Sequence, residues 1–287
     1  TPKLEALKSD YPEINVTTNN REVAAAADIV ILAVKPWKVE EVLREITPHV
    51  DYARQAVASM VGGLGISQLS EWLDKGDEEL PATFIIIPNT AIATMSSMTF
   101  IASARTTAEQ DAELVEIFSE LGMAMLVEEG LIPAGTSLAS CGIAYALRYI
   151  RAAMEGGVEL GFRADDAKRI VMQTLRGAAD ILEANSSHPE AEIDRVTTPG
   201  GLTIKGLNAM EAAKVDAISE EGEVISTIAI AVSSIVTTLI IVLGVICIVP
   251  LTPVLESPIL IPAFDMILPA LFGGLAVVFI SKNLKLS

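Results

Sequence analysis

The run Thr197-Thr198-Pro199-Gly200-Gly201-Leu202-Thr203-Ile204-Lys205-Gly206-Leu207-Asn208-Ala209-Met210-Glu211 decides how the rest of the chain is read. It starts as a turn. Pro199 restricts its own φ, and Gly200 and Gly201 reach backbone angles closed to other residues. A helical pattern begins near Leu202. Amide groups at such a helix start have no acceptor inside the helix and form a ready anion site. A small carboxylate fits there, with the Thr203 hydroxyl as a further hydrogen-bond partner. On the residues alone, a glycine turn leading into an ordinary helix accounts for the same letters.

Outward from this run the chain changes character twice. From Glu129 the pattern is wholly helical. Leu138 to Leu160 is one expected helix. Ala164 to Ala184 is another, with Ile170, Val171, Thr174, Ala178, Ile181 and Leu182 on one stripe. Asp165 and Asp166 in its first turn suit the helix dipole. Three helices with broad apolar faces exceed what one small unit can bury, so a partner subunit is the natural cover. Before Glu129, short apolar runs alternate with helical patterns. Strands are expected at 14–18, 28–34, 56–60, 84–87, 98–102 and 123–127. Helices are expected at 3–9, 21–27, 39–46, 66–73 (with Ser67 as a cap) and 108–121. This alternation predicts an α/β fold with a parallel, doubly wound sheet.

The third region starts near residue 217. From Val224 to Leu255 there is no charged side chain, and a second apolar stretch runs from Pro258 to Ile280, broken by Asp265. Runs of this length read as transmembrane candidates, here at 224–249 and 258–280. The other reading is a buried hairpin in a soluble fold. Lys282 and Lys285 follow the second run. Under the positive-inside tendency they place residues 1–216 in the cytoplasm, with a possible anchor behind them. The N-terminus shows no apolar signal core. The expected organisation is therefore 1–128 sheet domain, 129–216 helical domain and 217–287 transmembrane hairpin.

Composition narrows the function. The 287-residue chain carries 37 acidic and 20 basic residues, a formal charge of -17. That argues against nucleic acid, whose phosphates need a basic footprint. The two cysteines, Cys141 and Cys247, lie in unlike segments, so a disulfide framework is not expected. The two histidines, His49 and His188, lack metal-ligand spacing, and no metal is expected.

The Pro-Gly-Gly run, Ala33-Val34-Lys35-Pro36, Pro88-Asn89-Thr90 and Ser140-Cys141-Gly142-Ile143-Ala144-Tyr145, in that family's order, resemble pyrroline-5-carboxylate reductase from about residue 4 to about Ala213. The resemblance implies an incomplete Rossmann-type doubly wound sheet followed by an all-α dimerisation domain. It implies reduction of 1-pyrroline-5-carboxylate to proline by hydride from NADP or NAD in its reduced form, by a homodimer or larger homo-oligomer. It also implies site residues. Ala33, Val34, Lys35 and Pro36 would lie beside the nicotinamide half of the cofactor, and Asn20 near its adenosine side. Gly62 would let the nicotinamide approach, and Asn89 and Thr90 would line the cleft. Thr198, Gly201, Leu202 and Thr203 would hold the substrate, with the Thr203 hydroxyl near the reacting ring nitrogen. Glu129 would border the product pocket.

Each has a plainer reading beside it: Lys35 as a solvated strand-end lysine, Asn20 and Asn89 as turn formers, Glu129 as a surface acid. The Gly62-Gly63-Leu64-Gly65 cluster reads equally as a strand-to-helix turn. Residues 1–20 hold no GxGxxG fingerprint. Against the family pattern, the chain is expected to start after the first strand and its glycine turn, and to bind cofactor poorly. Ile143 stands where the family usually has proline, and Leu202 where it has a small residue or threonine. Arg195 stands where some relatives carry a cofactor-binding asparagine. The alternatives to a reductase are an inactive membrane-anchored assembly module and an artificial fusion of two unrelated fragments.

Overall fold

A computed structural model describes residues 2–76 and 79–212, and residues 277–280 as backbone. They fall into two compact units: residues up to Cys141 together with 277–280, and residues from Gly142 onward.

The first unit is an α/β sheet domain. Its elements are helices α1 (Pro2–Asp10), α2 (Asn20–Ala26), α3 (Val39–Ile46), α4 (Ile66–Leu73), α5 (Ala108–Ser119) and α6 (Ile132–Gly135), and strands β1 (Ile29–Leu32), β2 (Ala56–Ser59), β3 (Ala82–Ile87), β4 (Ser97–Ala104), β5 (Gly122–Leu126) and β6 (Val277–Ile280). The strand order is β5-β4-β3-β2-β1-β6. Strands β1, β2 and β3 are buried at every position, which is why they read as unbroken apolar runs. One core, around Phe84, Ile101, Leu114 and Phe118, fills one face; another, around Val30, Leu43, Leu69 and Ile85, fills the other. Helix α3 offers Val39, Val42, Leu43 and Ile46 to the second core and turns Glu40 and Glu41 outward.

The sheet is mixed, which corrects the expectation of a parallel one. Strands β1–β2, β2–β3 and β4–β5 pair parallel, but β4 runs antiparallel to β3. The reason is connection length. Residues 88–96 hold only a 3-10 turn, and a parallel crossover needs about a dozen residues or more. The expected strand at 14–18 is also absent. Ile14 donates its amide to the Tyr11 carbonyl, and its own carbonyl accepts from Lys8 Nζ. Those groups are thus satisfied locally rather than by a ladder.

The position beside β1 belongs to β6, paired antiparallel from Ile29↔Ile280 to Leu32↔Val277. The last four residues of the second expected span therefore form a strand, not the end of a membrane helix. Val277-Val278-Phe279-Ile280 is β-branched and aromatic throughout, and an open ladder on β1 accepts such a segment. The rest of that span, and all of 224–249, lies outside the described residues.

The second unit is helical: α7 (Gly142–Glu159), α8 (Ala164–Asn185), α9 (Pro189–Val196) and α10 (Leu202–Ala212). Helices α7 and α8 pack so closely that a Cβ on Gly157 would lie 3.0 Å from the Ala167 side chain. Helix α9 escapes the apolar-stripe reading, although Pro189 at its start and Glu190 behind it are helix-opening signals. In the first unit, α6 runs into a π-type turn at Thr136–Cys141. Tyr149, Val158, Ile170, Ile181 and Met210 are exposed on the second unit.

One glycine holds the edge of the sheet. Gly122 has φ +138°, and a Cβ there would sit 2.2 Å from the Ser97 carbonyl oxygen. Gly122→Ala is expected to lower stability by about 3 kcal/mol, combining overpacking with backbone strain. The measurement is the urea midpoint, with an unchanged m-value expected.

Candidate functional site

In a sheet of this kind ligands bind outside the carboxyl ends of the parallel strands. Here β1, β2 and β3 run side by side, and the segments leaving their carboxyl ends are 33–38, 60–65 and 88–90. Those three segments contain most of the sequence-expected cofactor residues.

Ala33 and Val34 are buried at 4% and 3% exposure, so only their backbone can face a ligand. Lys35 is half-buried, and its ammonium lies 5.8 Å from the ring centre of Trp37, within cation–π range. Trp37, 71% exposed, is a flat apolar surface that the sequence reading passed over. An exposed tryptophan directly after Lys35-Pro36 was the available signal. Pro36 opens the 3-10 turn Pro36–Lys38, whose closing amide bonds Lys35 oxygen.

Asn20 is not a turn former. Asn19 caps α2, and Asn20 is its buried first residue, with Nδ2 donating to Glu45 Oε2 at 3.1 Å. Asn89 is structural on several sides. It caps the following 3-10 turn through Oδ1 (3.0 Å to Ala91 N), its own amide donates to Ser97 Oγ, and Nδ2 donates to the Ala139 carbonyl. Thr90 is half-buried beside it.

The glycine turn after β2 is resolved by one bond. Helix α4 starts at Ile66 with Gly65 as N-cap, and no side chain of its own turn caps it; Ser67 does not. The cap comes from 63 residues away. Glu129 Oε1 accepts the Ile66 amide at 2.6 Å. Glu129, expected at a product pocket or on the surface, is exposed and gives its Oε1 to this helix start. The same bond answers whether Gly62-Gly63-Leu64-Gly65 replaces a phosphate fingerprint. The anion position at the α4 N-terminus already holds a carboxylate of the chain. Gly62 is half-buried and Gly63 takes φ +82°, so the turn remains a place where another group can approach closely.

In the helical unit, the Pro-Gly-Gly run forms the turn that its letters promise. Gly200 has φ +70°, and the Gly201 amide donates to the Thr198 carbonyl at 2.9 Å. A Cβ on Gly201 would meet Thr198 Oγ1 at 2.4 Å, so glycine is required there for a steric reason. Leu202 and Thr203 open α10 and are exposed, Leu202 at 87%. Thr197 is held by its hydroxyl on the Ile193 carbonyl. Arg195 is paired with Glu192 at 2.7 Å, and Ser187 and Asn185 donate to the same carboxylate. Cys141 is a buried free thiol whose pKa burial pushes up, which suits packing rather than reactivity. Among the described residues, no group of three His, Cys, Asp or Glu could hold a metal ion.

A sheet domain with its strand ends bordered by Lys35 and a glycine turn, followed by a helical unit, is a Rossmann-like architecture. Comparison with known proteins narrows the class. Residues 129–226 match the family model described as pyrroline-5-carboxylate reductase dimerisation, and residues 1–63 match NADP oxidoreductase coenzyme F420-dependent. The chain is 40% identical over 222 residues to pyrroline-5-carboxylate reductase 2 of Dictyostelium discoideum, covering 73% of each chain. It is also 40% identical over 236 residues to pyrroline-5-carboxylate reductase 1 of that organism, and there spans 42% of the relative's length. A Plasmodium falciparum pyrroline carboxylate reductase crystallised with NADP shares the fold, with TM-score 0.65 and 23% identity, over 78% of this chain and 80% of that one. The chain belongs to the pyrroline-5-carboxylate reductase family.

Two outcomes check this geometry. Asn89→Ala removes a cap and strands buried partners, and is expected to cost about 2 kcal/mol in chemical denaturation. Thr90→Ala, half-buried with no comparable role, should cost well under half of that. The Glu192 carboxyl is held below its ordinary value of 4.5, first by the Ser187 hydroxyl and then by Asn185 and Arg195. A lowered folded pKa stabilises above the unfolded value, and that contribution is lost as pH falls through the folded one. A carbon-detected NMR titration of Glu192 should show its midpoint below 4.5, rising in Ser187→Ala.

Proposed function

We propose that the protein reduces 1-pyrroline-5-carboxylate to proline with NADPH or NADH, as a homodimer or larger homo-oligomer formed through the helical unit. The observation that carries the reading is the Thr198–Thr203 turn. Gly201 is excluded from bearing a side chain by Thr198, and the first amides of α10 are presented beside a hydroxyl. That arrangement supports a site for a small carboxylate with one neutral hydrogen-bonding group next to it.

A protonated cyclic imine is already electrophilic. Bound NAD(P)H supplies the hydride that adds to the C=N carbon, and the ring nitrogen keeps its proton as an amine. The protein's part is binding and orientation. The amides of Leu202 and Thr203 hold the substrate carboxylate, and the Thr203 hydroxyl sits by the ring nitrogen. In the sheet domain, the Val34 and Lys35 backbone, Ala33, Pro36 and the Gly62 turn suit the nicotinamide half, where close approach of backbone is needed. Asn89 supports that edge through its hydrogen bonds, with Thr90 next to it in the chain, and Asn20 is assigned to the adenosine side. These residues fit one half of a dinucleotide. Among the described residues no second glycine turn is available for its pyrophosphate, since Glu129 fills the α4 helix start.

The domain reading that goes with this is 1–128 for cofactor and 129–216 for dimerisation and substrate. Exposed Tyr149, Val158, Ile170 and Ile181 support burial against a second copy. The uncharged run from Val224 to Leu255 supports a membrane-associated tail behind a cytoplasmic enzyme. Fractionation of the chain with and without residues 217–287 tests that part.

The central test follows nicotinamide absorbance with 1-pyrroline-5-carboxylate and either cofactor. Weak turnover is expected in the unsubstituted chain, whose described residues offer the pyrophosphate no glycine turn, with Thr203→Val lowering kcat/KM by about a further ten-fold or more, the worth of a hydrogen bond to a charged group. Full activity in Thr203→Val removes that residue from the site. Sedimentation should give at least a dimer.

A further inference from the structure

The bond between Glu129 and Ile66 joins two stretches with different tasks. Gly62–Gly65 leaves the carboxyl end of β2. Residues 129–141 are the start of the long helical run. Three contacts seat this second stretch on the sheet: Glu129 on the Ile66 amide, Asn89 Nδ2 on the Ala139 carbonyl, and Gly135 on Phe100, whose ring lies 2.8 Å from where a Gly135 Cβ would be. Only the first touches the glycine turn. The turn is fitted to it: an added Cβ on Gly65 would lie 3.0 Å from Glu129 Oε1. A side chain at position 65 would therefore press on that carboxylate, which supplies the cap that the residues of α4's own turn do not.

We propose that Glu129 is a positioning residue for the dinucleotide. Its carboxylate anchors the α4 N-terminus from the helical segment and so holds the Gly62–Gly65 turn in the conformation that the nicotinamide half meets. The inference rests on the reductase reading of that turn. It gives Glu129 a task other than contact with substrate. An anionic cap on a helix start combines a charge-assisted hydrogen bond with the helix dipole. It spans two segments that are distant in sequence, so no local residue replaces it. When the anchor is lost, the turn samples more conformations, and apparent affinity falls by the fraction that remains competent.

The experiment uses the full chain and four variants: Glu129→Ala, Glu129→Gln, Gly65→Ala and the double variant Gly65→Ala/Glu129→Ala. Amide exchange at Ile66 and NADPH affinity by fluorescence are measured on each. Exchange at Ile66 is expected to speed up about ten-fold in Glu129→Ala, the worth of one helix cap. NADPH Kd should rise by about five-fold, with kcat at saturating NADPH changed less than Kd. Glu129→Gln keeps an acceptor oxygen and should recover most of both. The Gly65→Ala loss should shrink when Glu129 is also alanine, because the crowding group is gone.

Unchanged Ile66 exchange in Glu129→Ala overturns the anchor. So do faster exchange without weaker NADPH binding, and strict additivity in the double variant. If Glu129→Ala does not fold, Glu129→Gln and Gly65→Ala decide alone. A normal Ile66 exchange and NADPH affinity in Gly65→Ala then count against the proposal. Failure of the unsubstituted chain to bind NADPH is a separate result, which removes the reductase reading while Ile66 exchange still reports on the anchor.

Discussion

A sheet buried on both faces leaves its backbone only one way to be satisfied, which is strand against strand. Every residue of β1, β2 and β3 is covered, so each amide and carbonyl there must find its partner in the ladder. The parallel pairing that results puts the carboxyl ends of three strands side by side. The segments holding Lys35, Gly62 and Asn89 are neighbours for that reason and no other. The same demand explains why β6, drawn from the far end of the chain, lies along β1.

Around that edge the polar side chains mostly serve the scaffold. Asn89 spends its groups on the 3-10 turn, Ser97 and Ala139. Glu129 reaches Ile66, and away from that edge Asn20 likewise spends its amide on Glu45. What is left facing outward is backbone, glycine, a lysine and an aromatic plane. That inventory suits a reaction whose electrophile is activated by its own proton, since such chemistry needs orientation more than an acid or base. The helical unit follows the same economy. Its expected anion site is made of amides and one hydroxyl, next to a glycine whose Cβ would press on Thr198.

Much of this was legible before any coordinates. The apolar runs of β1 to β3, the helices α3, α5 and α8 and the Pro-Gly-Gly turn follow from periodicity and from the conformational range of glycine and proline. The misses share a cause. The strand expected at 14–18 had suitable residues but no neighbour to pair with. The direction of β4 depended on how far residues 88–96 could reach. Ser67 had the chemistry of a cap at the wrong position, and Val277–Ile280 read as membrane because apolar β-branched residues suit both lipid and a sheet edge.

By itself the sequence determined the class of most segments and the turn that leads into α10, because those depend on local sterics and on the spacing of apolar side chains. It also carried the family, through motifs kept in order. Only the tertiary structure decided which side chains were still available for function. Glu129 and Ile66 are far apart along the chain. Their hydrogen bond forms because the sheet brings a strand-end turn and a helical segment within reach, and no pattern of letters encodes that distance.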